Sequence, residues 1–201
     1  MHPMWLAGTT RCMGQLQFLI NYIIWSIPSM LLAMLLMGGR QYFLWKWKQQ
    51  KISWPHEIGI YLLTGYLGFL FSVTWDIGEL WVSVFYGWPL PVPHWFQGGV
   101  SILPIHEMVS LWDGWMLVGN IILFCPLGIL IPLFWKRDKA AQVLQMGIIL
   151  SLFLECVQFV IGRTFDVGDL LSNTVGTGVG WMIWYVVQKC IPGGLAHFRV
   201  D

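Results

Sequence analysis

Charge is what this sequence has least of. Only 10% of its 201 residues are Asp, Glu, Lys or Arg. A soluble domain carries nearer a quarter, so a water-soluble globular fold is excluded. The few basic residues form no tract interleaved with aromatics, which removes the usual footprint of nucleic-acid binding. Cys12, Cys125, Cys156 and Cys190 lie far apart, without a CxxC pair. They read as isolated small hydrophobes rather than a disulfide framework or a metal site. His106-Glu107 lacks the second histidine of an HExxH zinc helix, His94 follows a proline run as a surface residue would, and neither a GxSxG elbow nor a Walker loop is present. No cofactor and no metal are expected. No internal repeat is visible. The N-terminus lacks the order of basic region, apolar region and cleavage site of a signal peptide, so the first apolar run is read as a retained helix.

What the chain does have is apolar bulk: 57% hydrophobic residues, with fourteen Trp and twelve Phe. It is read as an all-α membrane protein, a bundle of about five transmembrane helices forming one structural domain, since about 20 apolar residues suffice to span a bilayer. Residues 1–15 read as a short polar tail. The first span is 16–38, with Pro28 expected to kink it and Ser26 to satisfy the freed carbonyl. Loop 39–56 mixes Arg40, Lys46, Lys48 and Lys51 with Trp45, Trp47 and Trp54, the composition of a membrane interface. The second span, 57–75, ends at Asp76. A long loop, 77–114, follows; its first half, IGELWVSVFYGW, is apolar but too short to span and has room for an interfacial helix or re-entrant piece. PLPVPHWFQGG then breaks any helix. The third span is 115–134, the fourth 141–161, and the fifth 173–191, joined to the fourth by a hairpin at 162–172.

Charge bias orients this bundle. Loop 39–56, WKRDK at 135–139 and the C-terminal end from Lys189 onward hold nine of the eleven Lys and Arg residues. The positive-inside rule places those three segments in the cytoplasm, the N-terminus outside and the C-terminus inside. Trp75, Trp81, Trp88, Trp95, Trp112 and Trp115 then gather on the outer face as an interfacial belt.

Depth follows from orientation. Glu155 is roughly 9 Å below the outer end of the fourth span and Asn120 about 8 Å below that of the third, at 1.5 Å per residue. Asn173 opens the fifth span at that level. Gln158 shares a helix face with Glu155, and Ser151 extends the face inward. Asn120, Glu155, Gln158 and Asn173 are therefore expected to converge in the outer half of the membrane, beneath Arg163, Asp166 and Asp169. Glu155, Asp166 and Asp169 are the candidate catalytic groups, because an ionisable side chain inside a membrane run is a functional candidate by default. Asn120, Gln158, Arg163 and Asn173 are the candidate ligand-binding groups. The plainer alternatives stand beside these: a buried Glu155 bonded to Gln158 or Asn120, interhelical bonds from the two amides, and an ion-pair hairpin of Arg163, Asp166 and Asp169 with an Asp cap on the fifth helix. Asn173, Gly176, Thr177 and Gly180 recur at helical spacing, with a GxxxG step that lets backbones approach and brings Asn173 against the fourth span.

NIILFCPLGILIPL at 120–133 followed by ECVQFVIGRTFDVGDLLSNTVGTGVG at 155–180 resembles the VanZ-like family. The elements that match are Asn120, Phe124, Pro126, Gly128, Glu155, Gln158, Arg163, Asp166, Asp169, Asn173, Gly176 and Gly180. The resemblance divides the chain into two N-terminal helices plus outer loop (1–114), a VanZ-like three-helix core (115–191) and a cytoplasmic tail (192–201). It implies a multi-pass protein of the bacterial cytoplasmic membrane, in a family whose founding member is linked to low-level resistance to teicoplanin. The expected partners are the lipid bilayer and a lipid-linked or glycan component of the envelope, with no nucleic acid; oligomeric state is left open. Alternatives are a membrane-embedded hydrolase or transferase, for which the chain offers no obvious nucleophile, a small transporter, or a non-catalytic partner subunit.

Overall fold

The computed structural model describes residues 4–48, 54–102, 111–135 and 139–191. Among these residues there are six helices and two very short strands: α1 (Met4–Lys48), α2 (Trp54–Thr74), α3 (Ile77–Tyr86), β1 (Val100–Ser101), α4 (Leu111–Phe134), α5 (Ala140–Val160), β2 (Phe165–Asp166) and α6 (Val167–Cys190). Helix dominates because a backbone in lipid must satisfy its own N–H and C=O groups. Four helices are long and apolar enough to cross a membrane, through Ile23–Trp47, Glu57–Thr74, Leu117–Phe134 and Ala140–Val160. The chain is a helical membrane protein. The expected fifth span falls on α6, 24 residues long. Its glycines and Asn173 make it more polar than α2, α4 and α5, and it is not among those four.

The expected bounds of the second, third and fourth spans are met within a few residues. The N-terminal reading needs correction. Residues 4–15 are not a tail but the start of α1, and helix apolar enough to span continues past 38 to Trp47. The expected loop from 39 begins as helix, which runs through Gly38-Gly39 to Lys48. Gly38 serves packing: a Cβ there would lie 2.9 Å from the Tyr61 hydroxyl on α2. Arg40 and Lys46 thus sit on the helix rather than in a loop, and Lys46 Nζ lies 5.8 Å from the centre of the Tyr42 ring, as a snorkelling lysine does. Lys51, Lys136, Arg137 and the tail at 192–201 lie outside the described residues.

Two packing arrangements make the bundle. α1 and α2 run antiparallel, with Gly65 against Met34 and Gly68 against Ala33 and Ser29. Gln41 donates to Glu57 at one end of this pair, and α3 folds back on α1 at the other, Gly78 meeting Trp25 and Trp81 Nε1 donating to Ser29 Oγ at 2.7 Å. α3 is the short apolar helix that the outer loop had room for. In the second arrangement α6 lies parallel to α4 and antiparallel to α5. Thr177 is fully buried. A Cβ on Gly176 would overlap the Ile121 carbonyl, and one on Gly180 the Cys125 carbonyl. Between the two arrangements lies a core of Leu70 from α2, Phe124, Leu127 and Ile131 from α4, and Val143 and Leu154 from α5. Tyr66 reaches across it to donate to the Leu123 carbonyl at 3.0 Å. α2 and α5 end, and α4 and α6 begin, at the same end of the bundle.

Candidate functional site

That shared end is where the polar residues meet. Glu155, on the last turns of α5, is 2% exposed. Its carboxylate accepts from the backbone N–H of Asp166 at 2.9 Å. Asp166 closes β2 and caps α6, accepting from the Gly168 N–H at 2.7 Å. In the first turn of α6, Asp169 accepts from Asn120 Nδ2 of α4 at 2.6 Å. One turn on, Asn173 Nδ2 donates to Ser151 Oγ of α5 at 2.9 Å, and Asn173 Oδ1 is buried without a partner. Polar atoms away from water are costly unless bonded. The pairs Asn120–Asp169, Glu155–Asp166 and Ser151–Asn173 therefore join the ends of three helices as well as placing acids side by side.

Gln158 and Arg163 turn the other way, toward α2. Gln158 Nε2 donates to the Thr74 carbonyl at 2.7 Å, and Arg163 Nη1 donates to it at 2.9 Å. Thr74 ends α2, and a helix end leaves carbonyls that need donors. Arg163 Nη1 also pairs with Asp76 Oδ2 at 2.8 Å. Asp76 sits where a helix cap should: it precedes α3, in a left-handed conformation at φ 53°, but its side chain makes no cap bond. The carboxylate goes to the guanidinium instead. Burial pushes the Asp76 carboxyl above its ordinary value, Arg163 pulls it down, and nearby Glu79 adds to the upward push.

A strap crosses this end. The extended segment after α3 lies on the α5–α6 connection: Phe96 N donates to the Val160 carbonyl at 3.0 Å, and Phe165 N to the Gly99 carbonyl at 2.9 Å. Val100 and Ser101 pair in parallel with Phe165 and Asp166. Gly98 abuts the Arg163 carbonyl and Gly162, at φ 96°, abuts that of His94, so closely that neither position has room for a Cβ. Phe96 itself holds φ 56°, a strained value for a bulky residue that the strap's bonds maintain. Ser101 Oγ is buried beside Asp166 without a partner.

The structure thus brings Asn120, Glu155, Gln158, Arg163, Asp166, Asp169 and Asn173 to one end of the bundle, as helix depth implied. Their bonding differs from the expected pattern. Glu155 is held by the Asp166 backbone, not by Gln158 or Asn120. Arg163 pairs with Asp76, not with the hairpin acids, because the turn at 161–164 faces α2. α6 starts at Val167 rather than 173, so the connection is shorter than 162–172 and Asp166 is the capping aspartate. Asp76, the Thr74 carbonyl and the strap were not foreseen. A signal existed for Asp76: it ends an apolar run, and Arg163 is one of two basic residues on its side of the chain. His94 is exposed, and His106 and Glu107 lie outside the described residues. Of the expected Trp belt, Trp88 and Trp95 are exposed, while Trp75 stacks on Phe71 at 4.8 Å. Among the described residues no group of three or more His, Cys, Asp or Glu side chains is placed to hold a metal ion.

What the site offers chemically is a buried carboxyl, two further carboxylates, three amides and a guanidinium, gathered under a strap. Such a set suits hydrogen bonding to a polar head group and proton exchange at Glu155. Comparison with known proteins falls on this half of the chain. Protein VanZ of Enterococcus faecium is 26% identical over 134 residues, which cover 66% of this chain and 73% of that protein. No solved structure matches the chain. The VanZ/LLP1 family model matches residues 80–188, from α3 through the strap and nearly to the end of α6. With more than half of its length matched, the chain belongs to the VanZ/LLP1 family.

Proposed function

We propose that this protein works at the outer leaflet of the bacterial cytoplasmic membrane, binding or modifying a lipid-linked or glycan component of the envelope and so influencing susceptibility to teicoplanin-type glycopeptides. The observation that carries the reading is the gathering of seven polar side chains from α4, α5, α6 and the α5–α6 connection at one end of an otherwise apolar bundle. In this reading the N-terminus is outside and the C-terminus cytoplasmic, which puts that end outward. Asn120, Gln158 and Asn173 orient the ligand's polar head. Arg163 holds an anionic group with guanidinium donors beyond the Nη1 contacts to Thr74 and Asp76. Glu155 is the buried acid or base, with Asp166 and Asp169 as supporting carboxylates.

Glu155→Gln, Arg163→Ala and Asp169→Asn, each confirmed to be expressed and inserted, are expected to change teicoplanin susceptibility of the host strain. Unchanged susceptibility and envelope composition in all three would end the proposal. Orientation has its own test. Single cysteines replacing Glu79, Asp138 and the exposed Thr164 are read against the reactivity of the native cysteines. An impermeant thiol reagent added to intact cells labels the first and third and spares the second; the reverse pattern inverts the bundle.

A further inference from the structure

A second cleft lies away from the VanZ-like cluster, among α1, α2 and α3. It measures about 180 Å³ and is lined by Asn21, Trp25, Ser26, Ser72, Gly78, Glu79 and Val82. Most of this lining precedes the residues matched to the family, so the cleft belongs to the part of the chain that the family leaves unexplained.

Three observations bear on its occupant. Ser72 is 1% exposed, and its Oγ has no hydrogen-bond partner. A buried hydroxyl without a partner is costly, and here it borders open space. Glu79 stands exposed on the same wall, and among the described lining residues none is basic. Arg163 already pairs with Asp76 through Nη1, and Glu79 adds to the upward push on that same carboxyl. Two carboxylates thus share one positive charge at the α2–α3 corner. Finally, Trp25 offers a ring beside the acid, held between Phe85 at 6.0 Å and Tyr86 at 5.7 Å. An acid and an indole face around a mostly apolar hollow suit a cation attached to an apolar body. They do not suit an anion.

We infer that the α1–α2–α3 cleft binds a membrane lipid whose head group carries a protonated primary amine, the ammonium meeting Glu79 and the Trp25 ring and accepted by Ser72 Oγ, the lipid body lying against Val82. The site stands independently of the function proposed for the Glu155 cluster. It adds a lipid-recognition element beside that cluster, joined to it through the Asp76–Arg163 pair.

The test uses full-length protein in nanodiscs made from phosphatidylglycerol mixed with phosphatidylethanolamine, with retained lipid read by native mass spectrometry. Wild type is expected to retain the amine lipid about tenfold above its bulk ratio, the scale of one charge-assisted hydrogen bond. Glu79→Gln is expected to bring retention to the bulk ratio. Ser72→Ala removes an unpartnered hydroxyl and so leaves the fold intact; it is expected to lower the enrichment several-fold. No enrichment in wild type, or full enrichment in either variant, overturns the inference. Displacement of the lipid by free ethanolamine at comparable concentration overturns the lipid assignment in favour of a soluble amine.

Discussion

The two halves of the bundle are both apolar helices, yet they are held together differently. In α1 and α2 less is buried: 6% of the first span's most apolar stretch and 22% of the second's, against 33% in α4 and in α5. Where α1 meets α2, two glycines face flexible side chains, Met34 opposite Gly65 and the Tyr61 hydroxyl opposite Gly38, while a Cβ on Gly68 would lie 3.1 Å from the Ser29 carbonyl oxygen. Where α6 meets α4, glycines face backbone carbonyls, which cannot move aside. Lipid tails are as apolar as leucine, so close packing and interhelical bonds must hold membrane helices together. Both halves use interhelical bonds, Gln41–Glu57 and Trp81–Ser29 in one and Asn120–Asp169 and Asn173–Ser151 in the other, but backbones approach more closely in the C-terminal half. The polar cluster is built on the rigid half, where a displacement of its groups is resisted from three sides.

The sharpest way to break this contrast is a pair of alanine substitutions. Gly180→Ala drives a methyl into the Cys125 carbonyl and is expected to cost about 3 kcal/mol. Gly65→Ala meets only the end of Met34 and is expected to cost under about 1 kcal/mol. Thermal unfolding of the purified protein in one detergent measures both, and equal losses would dissolve the distinction. Next in size, Glu155→Ala strands the buried Asp166 N–H, at about 1–3 kcal/mol, whereas Glu155→Gln keeps an acceptor and is expected to retain most of that stability. Asp166→Ala removes the cap of α6 and is expected to cost about 1 kcal/mol in the same assay.

The smallest effect is in pH. The carboxyl of Asp76 titrates above its ordinary value in the fold. The folded state therefore binds this proton more tightly than the unfolded state. Stability contributed by Asp76 rises as pH falls through the folded value, and the burial cost of the carboxylate is fully present above it. A small stabilisation on mild acidification, absent in Asp76→Asn, is the expected result; stability that falls over the same interval in wild type and not in the variant would contradict it.

Much of this was legible in the residues. Spans rich in Leu, Ile and Phe announce themselves, and polar residues inside them were placed at the right end by counting along each helix. Glycine spacing in α6 told of close packing because few other residues permit it. What escaped depends on rotation and on distant pieces of chain. Gln158 lies on the face of Glu155 by spacing, but its long side chain reaches the Thr74 carbonyl, and nothing local to Gln158 specifies α2. The strap escaped because two residues of strand carry no periodicity. The run at 89–99 signals the end of a helix and not where the extended chain goes next. The length of α1 escaped because Lys and Arg mixed with Trp at 40–54 read as an interface loop, whereas a helix can carry the same residues.

The order in which the halves are made gives the glycine seam of α4 a further meaning. α4 leaves the ribosome before α5 and α6, with Gly128 and the carbonyls of Ile121 and Cys125 facing a groove that only α6 fills. The strap has no strand partner until Phe165 and Asp166 are in place. A chain interrupted after α5 therefore carries an open groove and an unpaired strap, both of which another helix or strand edge could occupy. α6 is thus the helix that closes the groove, and its docking and the completion of the polar cluster become the same event.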